Sequence, residues 1–198
     1  RSGLARHEVF VTTKISTDNL DRGKLVTSLR QSLDRLKLDA VDLALIHWPA
    51  PRERLPVAVY VEQLAEAQEL KLARLIGVSN FTIAHLQAAK AVLGDLPIAN
   101  NQFEMNPYLQ NKTLVSYCLD NAISVTCYLP IARGRLGGDP VLTPIAARHD
   151  ATVEQVALAW EMQNGLIAIP TSGREDRIAS NFAASRLRLT PDEMAAIA

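Results

Sequence analysis

The 198-residue sequence lacks the features that mark several classes of protein. Its 21 basic and 21 acidic residues cancel, so charge gives no reason to expect nucleic acid or a membrane as a partner. No apolar run approaches the roughly 18–20 residues needed to span a bilayer. Two cysteines, Cys118 and Cys127, are too few for a disulfide framework, and we predict that both are small buried residues. Because no secretory signal is recognisable, we predict a cytoplasmic protein.

Two common kinds of site are also lacking in the sequence. The four histidines never fall at the spacing of metal ligands, so no metal site is predicted. No G-x-G-x-x-G follows a predicted strand, which argues against a Rossmann-type pyrophosphate site. The chain opens on Arg1 rather than on methionine, and this leads us to expect a truncated N-terminus.

The sequence does contain short apolar segments that alternate with helical patterns. Strands that are apolar along their whole length are buried on both faces, and alternation with helices makes neighbouring strands parallel. We count six predicted strands: Val9–Lys14, Val41–Trp48, Leu75–Asn80, Ile98–Glu104, Ser124–Pro130 and Leu166–Pro170. Capping patterns predict helix starts at Thr82, at Thr152 with Gln155, and at Thr190.

Units of about 30 residues fit both a doubly wound sheet and a (β/α)8 TIM barrel. Polar residues recur where strands end, which favours the barrel, whose functional residues lie at the C-terminal ends of its strands. A closed barrel has eight strands and runs to ~250 residues. We therefore predict a single α/β domain over residues 1–198, a partial barrel that lacks the first two β/α units and the C-terminal tail.

Lys14 and His47 are the candidate reactive groups that the pattern itself suggests. A lysine at the end of a strand is often only solvated, and a histidine at the mouth of an apolar strand can be a core residue. Trp48 and Pro49 after His47 give that position the character of a pocket. Trp160 lies on a predicted helix, and we interpret it as core packing.

Five segments together resemble the aldo-keto reductases, in particular the bacterial 2,5-diketo-D-gluconate reductases. They occur in order and at the spacing of that family, and the resemblance covers essentially all 198 residues. The segments are VFVTTK, VDLALIHWP, LIGVSNF, NQFEMNPYLQ and IPTSGREDRIASN.

The resemblance implies an oxidoreductase that reduces aldehydes or ketones with NADPH, without metal or flavin. Hydride passes from the nicotinamide to the carbonyl carbon, and a tyrosine gives a proton to the carbonyl oxygen. Lys14 matches the lysine that lowers the tyrosine pKa, and His47 matches the histidine that orients the carbonyl. The tyrosine and its aspartate partner belong to a region before Arg1. If the molecule consists of these 198 residues alone, we expect little or no reductase activity.

The resemblance also assigns residues to the cofactor and the substrate. Trp48 would line the substrate pocket, and the C-terminal loop that shapes substrate choice would follow Ala198. The implied cofactor residues are Ser79, Asn80 and Gln102 for the carboxamide, Tyr128 for stacking on the nicotinamide, Leu129, Ile131 and Gly134 for the pyrophosphate loop, and Thr171, Ser172, Arg174, Arg177 and Asn181 for the adenosine end.

Three observations qualify these assignments. Ser79 and Asn80 could be a simple strand-to-helix turn, and the two arginines a solvated helix start. Many family members have lysine where this chain has Thr171, and Glu175 and Asp176 add negative charge beside a 2′-phosphate. NADP is favoured because Ser172 and both arginines are present, and NAD stays open.

Two other functions are consistent with the same sequence. The chain could be a catalytically inactive fragment or a regulatory nicotinamide-binding protein on the same fold, since two members of the catalytic tetrad are not in it. It could also belong to another class of TIM-barrel enzyme. A small carbonyl compound is the expected partner, and the resemblance implies a monomer for the complete barrel.

Overall fold

The computed structural model describes residues 3–198. Its strands are β1 (Thr12–Ile15), β2 (Val41–Ile46), β3 (Ala73–Ser79), β4 (Asn100–Glu104), β5 (Ser124–Tyr128) and β6 (Ile167–Ala168). Its α-helices are α1 (Lys24–Leu36), α2 (Val57–Glu69), α3 (Ile83–Leu93), α4 (Lys112–Asp120), α5 (Leu142–Arg148), α6 (Val153–Gln163), α7 (Glu175–Ala183) and α8 (Pro191–Ile197). None of the helices in the described residues is long and apolar enough to cross a membrane.

The six strands form one sheet in the order in which they occur along the chain, β1-β2-β3-β4-β5-β6. Pairing is parallel between β1 and β2, between β2 and β3, and between β5 and β6. The prediction of six strands in a parallel α/β arrangement of partial-barrel type is confirmed. Most strands are shorter than predicted, and β6, with only two residues, is shortened most. β1 begins at Thr12 rather than Val9, β2 ends at Ile46 rather than Trp48, β4 begins at Asn100 rather than Ile98, and β5 ends at Tyr128 rather than Pro130, whereas β3 begins earlier, at Ala73 rather than Leu75. An outermost strand has a hydrogen-bonded neighbour on one side only in this sheet, so less of it is fixed by pairing.

Three predicted helix starts are confirmed in atomic detail. The side chain of Thr82 accepts a hydrogen bond from the backbone N–H of His85, at the start of α3. Thr152 caps α6 and Thr190 caps α8 in the same way, through the N–H groups three residues on. Each cap satisfies a backbone donor that the first turn of a helix would leave without a partner.

The described chain groups into two compact units. The first comprises the described part of Arg1–Asn101 together with Tyr117–Ile123, and the second comprises Gln102–Ser116 and Ser124–Ala198. In the first unit, α1 buries Leu25, Leu29 and Leu33 along one face, at the spacing of an amphipathic helix.

The core of the second unit includes the last helix before β6. Trp160 of α6 is 3% exposed, which confirms the interpretation of this residue as core packing. The two cysteines are also buried and free, Cys118 in the first unit and Cys127 in the second, as predicted.

Gly77 allows β3 and β4 to approach each other closely. A Cβ atom built at Gly77 would lie 2.6 Å from the backbone oxygen of Asn100 and 2.8 Å from a methyl group of Leu45. The first of these is backbone of the neighbouring strand and cannot rotate away. The absence of a side chain at this position is therefore a packing requirement.

We expect Gly77→Ala to destabilise the protein by about 3 kcal/mol, the upper end of the usual cost of overpacking, because strand backbone would have to move. Urea unfolding measures this loss. Gly137→Ala is the matched control, since its Cβ would meet nothing within 4 Å. Equal stability of the two variants would show that β4 can shift without cost.

Candidate functional site

In the first unit, Lys14 and His47 lie on the same face of the sheet. Lys14 is paired in register with Leu45, and the backbone N–H of His47 donates to the carbonyl oxygen of Ile15 at 3.0 Å. Since alternate residues of a strand face the same side, His47 points to the side of Leu45 and hence of Lys14. The structure therefore brings the two predicted catalytic side chains together at the ends of β1 and β2.

The same reasoning extends to β3. Leu45 is paired with Gly77, so Ser79, two residues later, faces the same side as His47. Ser79 is buried.

Asn80 connects the end of β3 to the end of β2. Its side-chain amide donates to the carbonyl oxygen of His47 at 3.0 Å and to the hydroxyl of Ser79 at 3.0 Å. Its backbone is left-handed, with φ of 62°, a conformation that asparagine adopts more readily than most residues. Asn80 thereby fixes the backbone beside the imidazole, which a simple turn would not require.

The electrostatics around Lys14 and His47 favour a neutral imidazole on His47. Both side chains reach solvent, yet the surrounding protein removes part of their hydration, and this desolvation lowers the pKa of Lys14. Desolvation is also the main reason that the pKa of His47 is lowered, and the positive charge of Lys14 is the second. A neutral His47 beside a cationic Lys14 can donate a hydrogen bond without itself carrying charge. Trp48, the predicted substrate contact, follows directly and is 48% exposed.

In the second unit, the segment after β5 has an unusual backbone. Leu129, Ala132 and Arg133 all have positive φ, at 51°, 46° and 58°, and Gly134 follows at 77°. Leucine and alanine rarely adopt this conformation, because their Cβ atoms crowd the backbone. Such strain persists where the surrounding structure imposes it, and it is frequent at ligand-binding segments. The predicted pyrophosphate loop is thus held in a specific shape.

This loop forms one wall of a cavity of about 590 Å³. The volume falls within the roughly 300–1,000 Å³ of small-molecule pockets. Among the residues that line it are Leu129, Ile131, Gly134, Thr171, Ser172, Arg177 and Asn181. Seven of the sequence-predicted cofactor residues are therefore brought together, all within the second unit.

Five predicted cofactor residues are not among those that line this cavity. Two of them, Ser79 and Asn80, lie in the first unit at the end of β3. Gln102 is buried in β4, at 4% exposure. Tyr128 ends β5, where burial and the Glu104 carboxylate raise the pKa of its hydroxyl. Arg174 forms a two-pronged ion pair with Asp176, with distances of 3.0 and 2.6 Å. The Arg174 guanidinium is therefore already paired with a carboxylate at the start of α7.

Sequence reasoning missed four residues with polar side chains that line the cavity: Arg133, Ser180, Thr152 and Glu154. The last two belong to the start of α6. A helix that precedes a parallel strand begins at the end of the sheet where the strands finish, so its first turn is a place to search for site residues. The capping pattern at Thr152 already located that turn in the sequence.

Comparison with known proteins gives consistent matches over the whole chain. Residues 2–198 match a family profile described as "Aldo/keto reductase family". A methylglyoxal reductase of Escherichia coli O157:H7 is 44% identical over 197 residues, which cover 100% of this chain and 74% of the relative.

Solved structures agree with the sequence comparison. A protein provisionally named 2,5-diketo-D-gluconic acid reductase B superposes with a TM-score of 0.93 at 38% identity, covering 99% of this chain and 69% of the other. The aldo-keto reductase of Bombyx mori in complex with NADP gives a TM-score of 0.89 at 35% identity, covering 98% and 68%.

Proposed function

The chain belongs to the aldo/keto reductase family, and on that premise we propose that it reduces aldehydes or ketones to alcohols by hydride transfer from NADPH. The observation that carries the proposal is the placement of Lys14 and His47 on one face, at the adjoining ends of β1 and β2. An ammonium group beside a neutral imidazole suits a reaction in which negative charge develops on a carbonyl oxygen.

The residues of the second unit fit a nicotinamide dinucleotide. The cavity offers two guanidinium groups, from Arg133 and Arg177, which suit phosphate. It also offers the hydroxyls of Thr171 and Ser172 and the amide of Asn181. When bound, the dinucleotide supplies the hydride. Solved relatives with NADP are consistent with this assignment.

In the proposed reaction, the imidazole of His47 donates a hydrogen bond to the carbonyl oxygen and orients it. Lys14 keeps its positive charge and stabilises the conjugate base of the proton donor. The family resemblance assigns that donor to a tyrosine outside these 198 residues. Asn80 holds the His47 backbone, and Trp48 offers an exposed aromatic face to the substrate.

We propose small 2-oxoaldehydes as the substrate class. Several relatives, with 44–46% identity, are named methylglyoxal reductases. A short, polar carbonyl compound needs few contacts beyond the histidine and an aromatic neighbour.

An alternative function is a catalytically inactive or regulatory protein that binds the dinucleotide. Two tyrosines of the chain are engaged elsewhere, which favours it: Tyr60 is buried in an edge-on contact with Phe81, and the Tyr108 hydroxyl donates to Asp139 at 3.0 Å. Family membership sets aside the other TIM-barrel classes.

Two measurements test the proposal. NADPH binding is titrated and detected by the quenching of tryptophan fluorescence, and NADPH consumption is measured in the presence of methylglyoxal. We expect saturable binding and, in a protein that includes the tyrosine donor, consumption that depends on the aldehyde. Binding without consumption would favour the inactive or regulatory alternative. No binding of either NADPH or NADH would contradict both.

A further inference from the structure

We propose that Glu154 is a specificity-determining residue that weakens the preference for NADPH over NADH. This inference rests on the proposed function, because it concerns the dinucleotide of the same cavity. Glu154 lies in the first turn of α6 and lines the cavity with Arg177 and Ser172. Neither the family resemblance nor the sequence pattern had assigned it a role.

The charges that line the cavity differ from those expected from the sequence. Glu175, which the sequence suggested as an opponent of a 2′-phosphate, is not among the lining residues. Asp176 does line the cavity, but the guanidinium of Arg174 pairs with it through two hydrogen bonds. The Asp176 charge is largely balanced, and Arg174 is correspondingly less available to a phosphate.

Glu154 is the lining carboxylate without such a partner. Among residues 3–198, the Glu154 carboxylate forms no ion pair within 4 Å and accepts no side-chain hydrogen bond. The guanidinium groups of Arg133 and Arg177 donate no side-chain hydrogen bond there, although the charge of Arg177 also attracts the Asp176 carboxylate. The lining charges are therefore those of Arg133, Arg177 and Glu154, together with an Asp176 carboxylate that Arg174 and Arg177 both attract. A carboxylate that is half-buried in a pocket repels a nearby phosphate more strongly than one in open solvent.

The start of α6 lies against α7, since the side chain of Gln155 donates to the carbonyl oxygen of Ser180 at 3.0 Å. A carboxylate there, at the proposed adenosine end, has opposite effects on the two dinucleotides. It repels the 2′-phosphate of NADPH, and it is an acceptor suited to the free ribose hydroxyls of NADH. Thr171 lines the same cavity and offers no cation to offset this repulsion. We therefore infer that the protein binds both dinucleotides, with only a modest preference for NADPH over NADH.

Dissociation constants for NADPH and NADH, measured by fluorescence titration, test the inference without relying on turnover. We expect Glu154→Gln to tighten NADPH binding by about five- to tenfold and to leave NADH binding unchanged or slightly weaker. The gain for NADPH should shrink as salt is raised, since the repulsion is electrostatic.

Glu175→Gln is the matched control, since it makes the same charge change at an exposed position near the cavity but outside its lining. It should change the ratio of the two constants by less than about twofold. Thermal melts verify that each variant is folded, and Glu154→Ala provides a second variant with the same expected direction.

An unchanged ratio in both Glu154 variants, with wild-type binding intact, would overturn this inference and leave the proposed function standing. An equal gain for NADPH in the Glu175 control would overturn it as well, because it would show a general charge effect. Failure of the unmodified chain to bind either dinucleotide would overturn the proposed function and this inference together.

Discussion

Replacement of Glu161 by glutamine is expected to stabilise the protein by about 3 kcal/mol near neutral pH. Glu161 lies in α6 with 0% exposure, and neither of its carboxyl oxygens has a hydrogen-bond partner among the described residues. Burial without a partner raises the pKa of Glu161 to about 9. The folded protein therefore keeps this carboxyl protonated, whereas the unfolded chain ionises it at its ordinary pKa of 4.5.

The sign of the pH dependence follows from proton counting. Between pH 4.5 and 9 the folded state holds one proton that the unfolded state has lost, so stability falls as pH rises. Each pH unit within that window costs ~1.4 kcal/mol, and the loss levels off above the folded pKa. Glutamine has nearly the shape of the protonated acid and cannot ionise, so the variant should lack this decline.

Urea unfolding at several pH values measures the effect. The free energy of unfolding of the wild-type protein should fall more steeply with pH than that of Glu161→Gln, and the two curves should converge toward pH 4.5. Glu69→Gln is the control, because that side chain is exposed on α2. Parallel curves for wild type and Glu161→Gln would mean that an unseen partner or water stabilises the ionised carboxylate.

Lys14→Met is expected to lower aldehyde-dependent NADPH consumption at least a hundredfold, the usual scale for loss of a group that supports proton transfer. The substitution keeps the length and apolar stem of the side chain but removes its charge. The negative charge that develops in the proposed reaction would then lose the stabilising charge of Lys14. NADPH binding should change little, because the cavity that we assign to the dinucleotide lies in the second unit.

A second measurement tests the electrostatic interaction between Lys14 and His47 independently of turnover. The positive charge of Lys14 contributes to the lowered pKa of His47, after desolvation, so its removal should raise the pKa of that imidazole toward its ordinary value. Proton NMR of the histidine ring follows this change. Lys112→Met, at the exposed start of α4, should leave both the pKa and the consumption rate as they are. An unaltered His47 pKa in Lys14→Met would show that the two groups do not interact.

The sequence could predict which side chains converge at the strand ends, because the argument needs only strand order and alternation. Lys14 lies near the end of β1 and His47 directly follows the parallel neighbour β2, so their placement on one face follows once the register is known. Thr82, Thr152 and Thr190 could be identified because an N-cap is a local interaction within four residues.

Other features could not be read from the sequence, since they depend on competition between close alternatives. Arg174 could reach toward a phosphate or toward Asp176, and only its local geometry decides for the carboxylate. Leu129 and Ala132 adopt a left-handed backbone that their residue types disfavour, so propensity points the wrong way. The unpartnered state of Glu161 depends on packing around α6, which helical periodicity alone does not describe.

The two buried cysteines give the molecule a pair of internal reporters. Cys118 belongs to the first compact unit and Cys127 to the second, and burial raises the thiol pKa of each. A shielded, protonated thiol does not react with alkylating reagents until the structure around it opens. Mass spectrometry of peptides after timed labelling would therefore measure the rate of local opening in each compact unit separately, without any introduced probe.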